Sequence, residues 1–322
     1  MSAYRGQVSR LKPSIGAPDD RPKKNPRVIR ETYGAPASDA ALKLELDTFL
    51  ASRDRAEIVR SDPVELVRAF HDPHDQEVAG LLVATLAYGR VASIRAAAHR
   101  ALFALGPSPA SAVDRGEGAK LSGFVYRFQK GEDVPCLLRA IAIVRARRGS
   151  LANGLLAHDR GGPDYAEALD GLVEELRAAA RHPSYGLEFL LPRVTNGAAK
   201  RLWLFLRWMI RAEDGIDLGT WRRFGSFDPA RLLVPLDTHV ERISRYIGLT
   251  DRKSGDLAMA REVTRSLARL RPDDPVAYDV ALCHLGVSGS CPRRRDKVRC
   301  VGCPIRAICR LGEPETPRRS RR

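Results

Sequence analysis

The chain of 322 residues is long enough to bury a substantial hydrophobic core. Its 54 Lys and Arg outnumber 39 Asp and Glu, and the resulting net charge of +15 favours a polyanionic partner such as nucleic acid. No apolar run approaches the roughly 18 residues that span a bilayer, and residues 1–40 lack the apolar centre of a signal peptide. These features argue against a membrane or secreted protein, and we expect a cytoplasmic one.

The two ends of the sequence differ in composition from the middle. Residues 1–38 are polar, Pro-rich and basic, which predicts a disordered arm, and residues 311–322 form a short basic tail. In residues 39–310, apolar positions recur at helical spacing and alternating β-branched runs are scarce. The residues therefore predict an all-α domain between two basic ends.

The first half of this domain contains two clear helix signals. Residues 76–105 predict a helix or a helix pair, with Asp75 as the N-cap and Gly89 as the break between the two halves. Asp133 is predicted to begin the next helix.

The second half contains three more predicted helices. Residues 197–211 form a strongly apolar helix after an Asn196-Gly197 turn, and residues 275–285 form another. Between them, Asp237 is predicted to cap a helix. Its expected buried face comprises Val240, Ile243 and Ile247.

A compact group of cysteines follows the last predicted helix, with the spacing C-x8-C-x2-C-x5-C over Cys291, Cys300, Cys303 and Cys309. Four thiolates can close around zinc or an iron-sulfur cluster. All four lie in one loop rather than in two separated knuckles, which favours the cluster. Basic side chains in the same loop could contact phosphates; they include Arg294, Arg295 and Lys297.

These segments resemble the helix-hairpin-helix DNA glycosylase superfamily. Residues 236–240, L-D-T-H-V, resemble the endonuclease III segment that carries the essential aspartate, and residues 191–200 resemble its L-P-G-V-G-x-K hairpin. The cysteine loop resembles the family's C-x6-C-x2-C-x5-C pattern with two additional residues. The chain departs from endonuclease III in its altered hairpin and in the 37 positions between Lys200 and Asp237, about twice the usual separation. The resemblance is strongest to an uncharacterised bacterial family sharing residues 87–90, 123–133 and 200–211.

The resemblance implies a bilobal fold, with a central helical barrel at about residues 76–250 and a cluster lobe formed by residues 39–75 and 251–310. It implies a DNA glycosylase, with abasic-site (AP) lyase activity, that excises a damaged or mismatched base. Lys200 would attack C1′ of the sugar while Asp237 stabilises the developing positive charge. We expect the helix dipole and burial to lower the pKa of Lys200. The four cysteines would hold a 4Fe-4S cluster, with zinc as the alternative.

The expected partner is double-stranded DNA, with structured RNA left open, and the protein is expected to be a nucleoid-associated monomer. Phe128 could stack on a base, although such rings also pack in cores. Lys200 could instead be an ordinary surface lysine in line with Arg207 and Arg211. Further nucleic-acid contacts are expected from Tyr88, Arg90, Asn196, Gly197, Arg201 and Arg207.

Three other functions remain open. Asp237 could activate water in a monofunctional glycosylase. The chain could be a non-catalytic iron-sulfur module that binds nucleic acid, or a zinc-stabilised regulator.

Overall fold

Residues 33–311 are described by a computed structural model. Within this range the chain is helical, and its only β-pairing consists of isolated bridges at Tyr33–Leu311 and Tyr126–Gln129. The predicted all-α class is confirmed. Most of the predicted basic arm, and the tail beyond Leu311, lie outside the described residues. The α-helices are α1 Asp39–Ala51, α2 Arg55–Ser61, α3 Val64–Arg68, α4 Pro73–Thr85, α5 Val91–Leu105, α6 Pro109–Asp114, α7 Asp133–Arg148, α8 Leu151–His158, α9 Ala166–Ala180, α10 Tyr185–Leu190, α11 Lys200–Ile210, α12 Thr238–Tyr246, α13 Leu257–Ala268 and α14 Asp279–Val287, with 3-10 turns at Glu117–Leu121, Val194–Asn196, Thr220–Arg223, Pro229–Arg231 and Arg306–Ile308.

The predicted helix pair at residues 76–105 corresponds to α4 and α5. Gly89 separates them with φ +104°, a conformation that glycine adopts readily, so the predicted break is confirmed. The N-cap of α4 is Asp72 rather than Asp75, because Pro73 already occupies the first helical position. Asp75 is buried and accepts a hydrogen bond of 2.8 Å from the backbone N–H of Ala110 in α6.

The helices that matter for the site begin close to where the sequence predicts. Asp133 begins α7, as expected. The helix predicted at residues 197–211 spans only 200–210, and the one predicted at 275–285 begins later, at Asp279. Asp237 caps α12, and the predicted buried face of that helix is confirmed for Val240, Ile243 and Ile247.

Helix α11 lies at the centre of the hydrophobic core. All its residues from Leu202 to Ile210 are buried. Against α4 the packing is so close that a Cβ on Gly80 would lie 2.9 Å from Cε of Met209. Because the helix is enclosed, the backbone at Lys200, its first residue, is held by the core.

Helix α1 packs beside the C-terminal part of the chain. Arg269 binds Asp39 at 2.9 Å, and the hydroxyl of Tyr278 donates to Asp47 at 2.7 Å. The folded body begins before α1, because Gly34 N–H donates to the carbonyl of Arg310 at 2.9 Å. Residues 33–38, expected to belong to the arm, are therefore part of the folded body. None of the helices within residues 33–311 has the length and apolar character needed to cross a membrane.

Candidate active site

Lys200 and Asp237 lie side by side although 37 positions separate them in the sequence. The amino nitrogen of Lys200 is 3.2 Å from Oδ2 of Asp237. Lys200 begins α11 and Asp237 caps α12, so the contact lies where two helix N-termini converge. The lysine side chain is 31% exposed and the aspartate side chain 14%, so the lysine side chain is partly open to solvent while its partner is mostly covered.

The two oxygens of Asp237 have different partners. Oδ1 accepts hydrogen bonds of 2.8 Å from the backbone N–H groups of His239 and Val240. Oδ2 faces the amine of Lys200 and also accepts a hydrogen bond from the thiol of Cys283 at 3.6 Å. Asp237 therefore caps a helix with one oxygen and binds the lysine with the other, so the capping and site interpretations are compatible.

The ion pair controls the protonation of both groups. Burial raises the pKa of Asp237, but Lys200 and the hydrogen bond from the N–H of Val240 lower it by more than burial raises it. The pKa therefore lies below its ordinary value. Burial lowers the pKa of Lys200, but the charge of Asp237 more than offsets this effect, so the pKa lies above its ordinary value. The expected lowering is therefore wrong for the ion pair, because the carboxylate outweighs burial and the helix dipole.

The hairpin before α11 contains a strained residue. Ala199, the N-cap, has φ +42° and ψ +36° in the left-handed region, which costs a residue other than glycine roughly 1–2 kcal/mol. The preceding turn is anchored because Val194 N–H donates to Asp170 Oδ1 at 2.7 Å. Core packing and this anchor hold Ala199 in that conformation immediately before Lys200.

Helix α14 supplies two site residues that the sequence did not single out. Cys283 contacts Asp237, and Asp279, one turn earlier, forms a buried ion pair with Arg207 of α11. Burial raises the pKa of the Cys283 thiol well above its ordinary value and raises that of Asp279 to about 6. Their i, i+4 spacing signals a shared helix face, but only the tertiary structure shows what that face contacts.

Four rings form an aromatic cluster beside the start of α11: Tyr88, Phe128, Tyr185 and Phe189. The ring of Phe189 lies 4.8 Å from Tyr88 and 4.9 Å from Phe128, centre to centre. Phe128 is 44% exposed and Tyr185 is 68% exposed, so the cluster presents rings to solvent. Of these four, the sequence pointed to Tyr88 and Phe128.

Arg201 joins the aromatic cluster to the lysine-bearing helix. Its guanidinium lies 4.4 Å from the ring centre of Phe189 and donates to the carbonyls of Thr85 and Phe189. Desolvation lowers the pKa of Arg201 to about 10. These internal contacts occupy the guanidinium that was expected to bind nucleic acid.

Arg207 does not lie on a nucleic-acid surface. It is 2% exposed and bound by Asp217 at 3.2 Å and by Asp279, so the expected nucleic-acid contact is wrong. Arg211 is also buried, so Lys200 does not belong to an exposed basic stripe. The remaining predicted contacts outside the cysteine loop are at least partly exposed: Tyr88, Arg90, Asn196 and Gly197.

The four loop cysteines, Cys291, Cys300, Cys303 and Cys309, line a single cavity with apolar neighbours including Ile305. All four are free thiols. Soft sulfur donors around one cavity fit a thiolate-bound metal. In residues 33–311, however, no three or more His, Cys, Asp or Glu side chains are drawn close enough to form a ready metal site.

The loop is fastened to α12, because Arg242 donates to the carbonyl of Cys291 at 2.9 Å. Arg294 and Lys297 are exposed. Arg295 is partly buried and donates to the carbonyl of Leu311 at 2.9 Å. The loop therefore presents two of its three predicted phosphate contacts openly.

Comparison with known proteins identifies one family. Neither the curated proteins nor the solved structures gave a match. A family model described as "Protein of unknown function (DUF2400)" matches residues 62–288, more than half of the chain. The matched stretch includes Lys200, Asp237 and Cys283 and ends before Cys291. The chain therefore belongs to the DUF2400 family.

Proposed function

We propose that the protein is a DNA glycosylase with associated lyase activity, on a helix-hairpin-helix fold. The observation that carries this proposal is the 3.2 Å contact between the amine of Lys200 and the carboxylate of Asp237. The bifunctional reaction needs both a nucleophilic amine and a carboxylate that stabilises positive charge. Both groups are present here at one partly open site.

The proposed reaction begins when Lys200 releases its proton to water and its nitrogen lone pair attacks C1′. The bond from C1′ to the base breaks, its electron pair leaves with the base, and the base takes up a proton. Asp237 remains ionised because its pKa is low, and it stabilises the positive charge that develops on the sugar. Ring opening gives a Schiff base, and loss of a C2′ proton then expels the 3′ phosphate and cuts the strand.

The proposed substrate is double-stranded DNA containing a damaged or mismatched base. The net charge of +15 favours a polyanion. The exposed rings of Phe128 and Tyr185 could stack on an unpaired base, as extrusion of a nucleotide requires. Two exposed residues offer contacts to phosphates: Arg90, close to Tyr88 in the sequence, and Asn196, close to Lys200.

We propose that the four cysteines hold a 4Fe-4S cluster, with zinc as the alternative. Four free thiols lining one cavity support a thiolate-bound group of either kind. Such a group would brace the loop that carries Arg294 and Lys297. Absorption spectroscopy and metal analysis of anaerobically purified protein separate the alternatives. The cluster is brown and contains iron and sulfide, whereas zinc is colourless.

Borohydride trapping on abasic DNA tests the lyase proposal. We expect a covalent adduct with the wild type and none with Lys200→Ala. Lys253→Ala, which removes an exposed lysine far along the chain, is the matched control and should trap normally. An adduct of undiminished yield in Lys200→Ala would remove this lysine from the mechanism.

A monofunctional glycosylase is the second candidate, because the raised pKa of Lys200 keeps its amine protonated in the ion pair. Asp237 would then activate water. This reaction predicts base release without a trapped adduct. If no base is released from a panel of lesions while DNA binding survives Asp237→Asn, the chain is instead a binding module.

A further inference from the structure

The oxygen of Asp237 that binds Lys200 has a second partner. The thiol of Cys283 lies 3.6 Å from Oδ2, within hydrogen-bond distance for sulfur. The backbone N–H groups that cap α12 both bind Oδ1 instead. The thiol and the amine therefore share one oxygen.

Helix α14 is fastened at both ends of the segment that carries this thiol. Asp279, four residues before Cys283, is bound by Arg207 of α11. Gly286, three residues after Cys283, packs so tightly against α12 that a Cβ there would lie 2.4 Å from Cβ of His239. Because α14 is fixed to the helices of both Lys200 and Asp237, the position of the thiol is set by the fold.

The thiol is in the form that donates a hydrogen bond. Burial and the neighbouring charge of Asp237 raise the pKa of Cys283 well above its ordinary value, so the proton stays on sulfur at neutral pH. A neutral donor withdraws electron density from Oδ2 and weakens its hold on the ammonium group.

We propose that Cys283 is a positioning residue of this site: its thiol donates to the carboxylate oxygen that binds Lys200 and limits how tightly that oxygen holds the amine. The role in catalysis rests on the proposed lyase function, whereas the effect on the amine does not. Without the thiol, Oδ2 would be left entirely to the lysine, and the amine would retain its proton to higher pH.

The other groups that face the amine must be held constant in any test. They are Asp237 and His239 at the start of α12 and Asp279 on α14. Substitutions at Cys283 alone leave all three in place. Cys283→Ala and the bulkier Cys283→Val lack the donor, whereas Cys283→Ser retains one. Cys136→Ala, in another buried cysteine on α7, is the matched control.

Competitive labelling with trace acetic anhydride across a pH series measures the titration of Lys200 without requiring activity. We expect the labelling midpoint of Lys200 to rise by about 0.5–1 pH unit in Cys283→Ala. Cys283→Ser and Cys136→Ala should stay near the wild type. If Cys283→Ala does not fold, as judged by its unfolding transition, Cys283→Val gives the same comparison.

An unchanged midpoint, or one that moves to lower pH, in a folded variant without the donor would overturn this proposal. A shift that Cys283→Ser fails to restore would also overturn it, because a packing effect would then suffice. Borohydride trapping on the same variants is the second readout. If the labelling midpoint rises but the wild type gives no adduct, the positioning role of Cys283 stands and the lyase proposal fails.

Discussion

Arg207 and Asp279 form a buried ion pair that joins the helix of Lys200 to the helix of Cys283. Arg207 is 2% exposed and also binds Asp217 at 3.2 Å. The pair lies entirely within the buried interior. It therefore fixes the supports of the site from within the core.

Removing Arg207 should destabilise the protein severely. Arg207→Met leaves the carboxylate of Asp279 buried without its cation and leaves Asp217 with Arg211 alone, which costs about 3–5 kcal/mol. Urea unfolding measures the loss. Arg252→Met, which breaks an exposed pair with Asp256, is the matched control and should cost less than about 1 kcal/mol. Equal losses in the two variants would contradict the structural role of the buried pair.

The strain at Ala199 predicts a stabilising substitution. Ala199→Gly removes the steric cost of the left-handed conformation, although glycine loses more chain entropy on folding. We expect a net gain of up to about 1 kcal/mol in the free energy of unfolding. Ala198 is also partly buried but has no positive φ, so Ala198→Gly controls for the lost methyl and the chain entropy and should destabilise. A loss in both variants would show that residue 199 is not strained.

The Lys200–Asp237 pair predicts a pH-dependent contribution to stability. Folding lowers the pKa of Asp237 below its ordinary value of 3.8. The stability that this carboxylate adds is therefore complete above about pH 3.8 and is lost as the pH falls through its pKa in the folded protein. Folding raises the pKa of Lys200 above its ordinary value of 10.5. The stability that this ammonium group adds is therefore complete below about pH 10.5 and is lost as the pH rises through its pKa in the folded protein. The difference in unfolding free energy between the wild type and Lys200→Met should therefore be greatest between these limits. A difference independent of pH would contradict the ion pair.

The aromatic cluster predicts a stacking contact with DNA. Phe128→Ala should weaken binding of DNA with an unpaired base, by about 1–3 kcal/mol, with little change in salt dependence. Lys297→Ala should instead reduce the slope of the logarithm of the binding constant against the logarithm of the salt concentration by about one. Fluorescence anisotropy measures both. Phe103→Ala removes a ring that is 81% exposed and lies outside the cluster, and an equal loss there would refute specific stacking.

The cysteine loop predicts that metal content depends on each of its thiols. Cys303→Ser should abolish the brown chromophore, or the bound zinc, because one of four ligands is weakened. Cys136→Ser, in a buried cysteine outside the loop, should retain the full content. Metal analysis of the purified variants gives the ratio of metal to protein. Full metal content in Cys303→Ser would exclude this residue as a ligand.

Local signals in the sequence predicted much of the site. Asp237 is recognisable as an N-cap because it directly precedes a helical pattern of apolar residues. Gly89 is recognisable as a break between helices because glycine adopts positive φ values readily. The pairing of Lys200 with Asp237 required the family resemblance, because no local pattern links residues 37 positions apart.

Tertiary partners account for what the sequence did not reveal. Arg207 looks like a surface cation by residue type, but the packing of α11 into the core buries it against Asp217 and Asp279. Cys283 carries no signal of its own until α14 is placed against α12. The raised pKa of Lys200 likewise depends on the distance to one carboxylate, which the sequence does not contain.

Mass spectrometry of the borohydride-trapped complex tests the central chemical claim most directly. After digestion of the protein and the DNA, the sugar remnant should be found on the peptide that contains Lys200, bonded to its side-chain nitrogen. A remnant on another lysine, or on the N-terminal amine, would contradict the assignment of Lys200 as the nucleophile.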